Sequence, residues 1–126
     1  MRQNGAMKRD TGFTLIEVLV VVGIIGILAA LAFSDFSELK GKGLDARAKS
    51  DLRNVANGEE AYFSQYEVYK SCDTVSCPAS LPGLESISAG VTLAIVATAS
   101  GFTGTATHNA GGGVTFNWNS SDGGLQ

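Results

Sequence analysis

Residues 13–33 read FTLIEVLVVVGIIGILAALAF, and this stretch decides what kind of protein the chain is. It runs for 21 residues with one charged side chain, Glu17, and the next charge after it is Asp35. At 1.5 Å per residue a helix of that length is about 32 Å long, against a bilayer hydrocarbon core of about 30 Å. The segment is therefore long and apolar enough to span a membrane. A carboxylate inside such a span costs about 2–3 kcal/mol or more, so its presence points to a function and to a partner.

Before it, residues 1–12 (MRQNGAMKRDTG) are polar and basic, with Arg2, Lys8 and Arg9 against Asp10. By the positive-inside rule this end stays in the cytoplasm and the rest of the chain emerges across the membrane. Met1 and Met7 are both open as starts, the second leaving the leader MKRDTG. Three readings fit the junction. The apolar run is a permanent signal anchor, or it is an ordinary secretory signal cut after Ala30-Leu31-Ala32 to release a binding domain, or the chain is cut on the polar side, after Gly12. Small residues closing an apolar stretch suit the second reading, but an acid within the hydrophobic region works against it. The third keeps the helix in the mature protein and accounts for Glu17. Cleavage there frees an α-amino group on Phe13, a cation able to neutralise a carboxylate at the same depth.

Gly12 followed by Phe13-Thr14-Leu15-Ile16-Glu17 resembles the class III signal of type IV pilins and type II secretion pseudopilins. Val22-Gly23-Ile24-Ile25-Gly26-Ile27-Leu28-Ala29-Ala30 is similar to the helix that follows it in that family, and the resemblance continues through Ala48-Lys49-Ser50-Asp51-Leu52-Arg53-Asn54 to Glu60-Ala61-Tyr62-Phe63. It implies that a prepilin peptidase cuts between Gly12 and Phe13 and that Phe13 becomes N-methylated. It implies that Glu17 meets the N-terminal amine of a neighbouring identical subunit as a helical filament forms. The partners it implies are identical subunits, the peptidase and an inner-membrane assembly machinery. The chain would sit in the inner membrane first, then in an extracellular pilus or a periplasmic pseudopilus. Many relatives carry a proline after the Ala-rich turn where this chain reads Phe33-Ser34-Asp35, so a helix melting that depends on that proline is not expected. Between the two branches the pilus subunit is favoured, because Ser120-Ser121-Asp122-Gly123-Gly124 offers one carboxylate, too few for the calcium site of the major pseudopilin. A secreted or anchored binding domain is the alternative of another class.

Past the membrane stretch the helical period continues. Leu44, Ala48, Leu52, Val55, Tyr62 and Tyr66 make one apolar stripe, expected to cover the chain's own sheet. Glu38/Lys42, Asp45/Lys49 and Arg47/Asp51 stand at i, i+4 and read as a solvated face of weak ion pairs. Gly41, Gly43 and Gly58 each cost about 1 kcal/mol relative to Ala in a helix, and a bend or frayed turn is expected near Lys40–Gly43. Within the membrane stretch Gly26-Ile27-Leu28-Ala29-Ala30 is a pattern of small residues that admits close helix packing.

Cys72 and Cys77 close a short loop after the helix. With the N-terminus inside, these thiols face an oxidising compartment and are expected to pair as a structural disulfide. Two intervening residues would suit a redox motif better than four, and zinc would need more ligands. Residues 78–90, with Pro78, Pro82, Gly83 and Gly90, read as an ordered loop or one short turn. Three β-prone runs follow, Gly90–Ala99, Phe102–Thr107 and Val114–Trp118, as an antiparallel meander with one apolar face. Gly101-Phe102-Thr103-Gly104-Thr105-Ala106-Thr107-His108 resembles the second strand of a common pilin sheet. His108 is expected at the surface, and Phe116 and Trp118 in the core.

The composition bears this out by exclusion. A net charge of −3 with no basic patch argues against nucleic acid. One histidine and two cysteines leave no metal-ligand cluster, and no nucleophile or phosphate-loop motif appears. No cofactor, no metal and no enzymatic activity are expected. The fold expected is α+β: leader 1–12, apolar helix 13–33, its amphipathic continuation 34–70, and a head over 71–126 made of the disulfide loop and a three-stranded meander.

Overall fold

The structure is a computed structural model and describes residues 12–126. The leader before Gly12, with its basic side chains and both candidate starts, lies outside the described residues. The fold is α+β, one long N-terminal helix and a small antiparallel sheet. Two compact units divide the chain, one ending at Asp35 and the other running Phe36–Gln126. Helix α1, Leu15–Tyr66, contributes to both.

In the first unit α1 starts where the sequence supplies a cap. Thr14 precedes the first helical residue and Glu17 stands three residues on, the spacing of a capping box. From there to Asp35 every residue is exposed, and the apolar window has none of its residues buried by the chain itself. No helix break occurs at Phe33-Ser34-Asp35, nor over Lys40–Gly43 where a bend or frayed turn was expected.

The second unit holds the core. Strand β1 is Cys72–Asp73, followed by the short helix α2, Ser76–Ser80. Strands β2 (Val91–Ala97), β3 (Phe102–His108) and β4 (Thr115–Asn119) come next, then a 3-10 turn at Ser120–Asp122 and strand β5, Gly124–Leu125. All neighbours pair antiparallel, in the order β1-β2-β3-β4-β5. The alternation read in Gly90–Ala99 is realised in β2: Val91, Leu93 and Ile95 are buried and the residues between them exposed. With Phe102 and Ala106 of β3 they meet Ala48, Leu52, Val55 and Ala56 of α1. Gly104 lets the layers close, since a Cβ there would stand 2.6 Å from Ile95 Cδ1 and 2.9 Å from Leu52 Cδ1.

Several expectations are corrected. The sheet has five strands, not three, because two-residue strands flank the meander on both sides. The helix ends at Tyr66 rather than running to residue 70: Glu67 takes φ 58°, a left-handed turn that stops it, and its N–H donates to Phe63 O at 2.7 Å. Tyr66 accordingly leaves the stripe and is 59% exposed. The charge pattern was the larger misreading. Glu38–Lys42 closes at 2.6 Å with both ends open to solvent, and such a pair contributes under about 1 kcal/mol. Asp45 and Asp51 are buried instead, because loops reach back over the helix and need acceptors. Asp45 Oδ2 accepts the Gly112 N–H at 2.9 Å, and Asp51 accepts the Ser88 N–H at 2.9 Å and its hydroxyl at 3.2 Å. His108 is buried too, not at the surface. Its Nε2 donates to Ala89 O at 3.1 Å and its Nδ1 accepts the Ala110 N–H at 3.1 Å, so the ring ties two loops together.

Candidate functional site

The site is the first turn of α1 and the apolar surface that follows it. Glu17 Oε2 accepts the Thr14 N–H at 3.1 Å and the Thr14 hydroxyl at 3.2 Å, while the Glu17 N–H donates to Thr14 Oγ1 at 3.3 Å. This reciprocal box satisfies donors that a helix start leaves open. It also places a negative side chain at the positive end of the helix dipole. Oε1 takes no part in these bonds. Phe13, Glu17, Val18 and Val21 line an open cleft of about 230 Å³ whose walls are apolar.

Each residue singled out in the sequence can now be placed. Gly12 and Phe13 precede the helix and are exposed, Phe13 at 86%. Glu17 lies one helical turn further on, its carboxylate held back toward Thr14. The Glu17 carboxylate turns to Thr14 rather than to Phe13. Gly23 and Gly26 have open space where a side chain would project, so another helix can approach their backbone closely.

Cys72 and Cys77 belong to the second unit and have no share in this site. They are joined, with Cα atoms 5.0 Å apart, and both are buried. The Asp73 carboxylate organises their loop by accepting the N–H groups of Val75 and Ser76 and the Ser76 hydroxyl. Those bonds hold its pKa below the usual carboxylate value, the Ser76 contacts contributing most.

Sequence reasoning passed over Thr14, although Thr-x-x-Glu just before an apolar run is a readable cap signal. It also passed over Glu59, which is fully buried and accepts the Lys70 N–H at 2.9 Å. No cluster of three or more metal-ligating side chains occurs among the described residues.

Residues 7–33 match the family model described as the prokaryotic N-terminal methylation motif. No curated protein and no solved structure matches the chain. The motif covers the junction at Gly12 and the whole apolar run, and it implies processing by a prepilin peptidase and assembly into pilus-like oligomers. A helix able to cross a membrane follows that junction, its apolar surface uncovered by its own chain, in keeping with anchoring in the inner membrane. The match over residues 7–33 supports a prepilin-like protein.

Proposed function

We propose that this protein is a structural subunit of a type IV pilus, cut after Gly12, N-methylated on Phe13 and assembled into a helical filament. The observation that carries the reading is the pairing of a capped, accessible acid with an uncovered apolar helix. Unprocessed, Glu17 rests on Thr14 through Oε2, and Oε1 has no hydrogen-bond partner among the described residues. Once Gly12 is removed, the amine of Phe13 on a neighbouring subunit becomes the cation for that oxygen. Apolar faces over residues 13–33 then cover one another as identical subunits repeat by a heterologous, non-closing contact, which builds an open filament. Removing one partner of a buried ion pair costs about 3–5 kcal/mol, so a neighbour out of register by one turn is strongly disfavoured.

The test is Glu17→Ala in a deletion background, read by filament yield and by the intact mass and N-terminal sequence of the mature chain. The expected outcome is a processed, N-methylated Phe13 terminus with filaments sharply reduced. Normal filaments from the variant would remove the pairing, and a mature terminus at Phe33 would remove the whole reading. Comparing surface filaments with protein secretion in the deletion strain separates a pilus from a pseudopilus.

A further inference from the structure

Glu59 plays no part in the assembly site, and its surroundings are unusual for an acid. It is 0% exposed. Oε2 accepts the Lys70 N–H at 2.9 Å, and Oε1 lies 3.9 Å from Cys72 Sγ. That sulfur is bonded to Cys77 and carries no proton, so it donates nothing to Oε1. Among the described residues one oxygen of this fully buried carboxylate is thus left without a donor, an arrangement that disfavours the charged form. Burial is the main cause that raises the Glu59 pKa, and the nearby Glu60 adds to it against the Lys70 N–H and ammonium.

Reduction changes this environment. A thiolate reductant such as glutathione supplies two electrons, the Cys72–Cys77 bond breaks, each sulfur takes a proton, and the reductant leaves as its own disulfide. Cys72 then carries an S–H facing Oε1. We propose that Glu59 is a proton-linked redox site for the Cys72–Cys77 disulfide, stabilising the dithiol form by accepting a hydrogen bond that the disulfide cannot offer. The loop is then a clasp whose strength depends on pH and on thiol balance, not a fixed staple. It fastens β1 to α2, so opening it would free the chain around Lys70–Asp73.

The sign follows from which form wants the carboxylate ionised. The disulfide form favours neutral Glu59 and the dithiol form favours the carboxylate, so in the window between their two pKa values reduction releases a proton from Glu59. Relative to glutathione, reduction therefore becomes more favourable as pH rises through that window. Other charges do not supply this link. Glu60 contacts the Tyr69 hydroxyl at 3.4 Å, and the Lys70 ammonium lies over the Tyr62 ring. Asp73 on β1 is engaged by Val75 and Ser76, α2, β2 and the rest of β3 bring no charge, and His108 is bound to Ala89 at the end of β3 that pairs with Val91 rather than Ile95.

The proposal does not rest on the filament reading, and its test uses the full chain in detergent. The protein is brought to equilibrium with glutathione couples from about pH 5 to 7.5, thiols are trapped by alkylation, and the two forms are resolved by mass. On the scale of one charge-assisted hydrogen bond, the equilibrium constant for reduction should rise about tenfold across the window, ~30 mV for a two-electron couple. Glu59→Gln should abolish the rise, whereas Glu60→Gln should keep it. A variant shifted equally at every pH, or one that keeps the rise, would assign Glu59 a packing role and overturn the proposal. Should Glu59→Gln fail to fold, the wild-type curve still decides, because a flat one is equally fatal.

Discussion

At Gly104 the space for a side chain is already taken. The Cδ1 atoms of Ile95 and Leu52 crowd its Cα from the sheet and from the helix, and both residues are almost fully buried. An added methyl forces one or both off their rotamers, and overpacking of that kind costs about 1–3 kcal/mol. Gly104→Ala should therefore lower the urea midpoint of the second unit with little change in slope; an unchanged midpoint would show that the layers yield freely. Gly111 is held by the same kind of limit, since a Cβ there would collide with Asp45 Oδ1, an oxygen buried with no hydrogen-bond partner among the described residues. Neither contact could be read from the chain. Glycine in a strand or a turn signals close approach without naming what approaches. Asp45 and Asp51 failed for a related reason: their i, i+4 spacing to Lys49 and Arg47 fits a solvated pair, whereas the groups they serve lie 67 and 37 residues away. Thr14 and Glu17 are the contrast, a local box whose spacing alone gives the bond.

The helix and the central strands were legible because each repeats one signal many times. Ala48, Leu52 and Val55 keep the helical period, and Val91, Leu93 and Ile95 keep the period of two. Strands β1 and β5 were not legible, since two residues carry no period. Their importance is at the edges. An open strand edge invites pairing with other chains, and β2 is closed off on its outer side by β1 and by two hydroxyls. Thr74 Oγ1 accepts the Leu93 N–H at 2.8 Å and donates to Leu93 O at 3.2 Å, and Ser71 Oγ accepts the Ala97 N–H at 2.9 Å. Thr74→Val keeps the shape but removes both bonds to Leu93, leaving a part-buried backbone pair unmet at a cost of about 1–3 kcal/mol. The variant should show faster amide exchange at Leu93 and greater association on heating. Exchange as slow as in the parent would mean that β1 alone seals the edge.

For the molecule as a whole, the buried residues begin at Asp45, and every member of the core lies beyond it. The helix before that point contributes no core residue and meets the head where Gly41 approaches Gly112 and where Leu44 is half-buried. Residues 40–126 should accordingly fold without detergent as a cooperative, disulfide-bonded unit, with the Gly41 approach to Gly112 retained. Its stability should also carry a distinct pH signature. Glu59 has a folded-state pKa raised above its ordinary 4.5, mainly by burial. The folded state then binds more protons than the unfolded chain over that interval, so stability falls as pH rises from about 4.5 through the raised value and levels off above it. Asp73 acts in the opposite direction. Its pKa is lowered from 3.8 by the Ser76 and Val75 bonds, so its contribution is present above that value and is lost as pH falls through the lowered one. Between them the two groups place the optimum on the acid side of neutrality, and urea titrations of 40–126 across that range would locate it. Glu59→Gln should flatten the descending limb and leave the acid limb in place. A limb that survives the substitution would have to come from another group, and Glu59 would then be a packed side chain whose charge the fold does not feel.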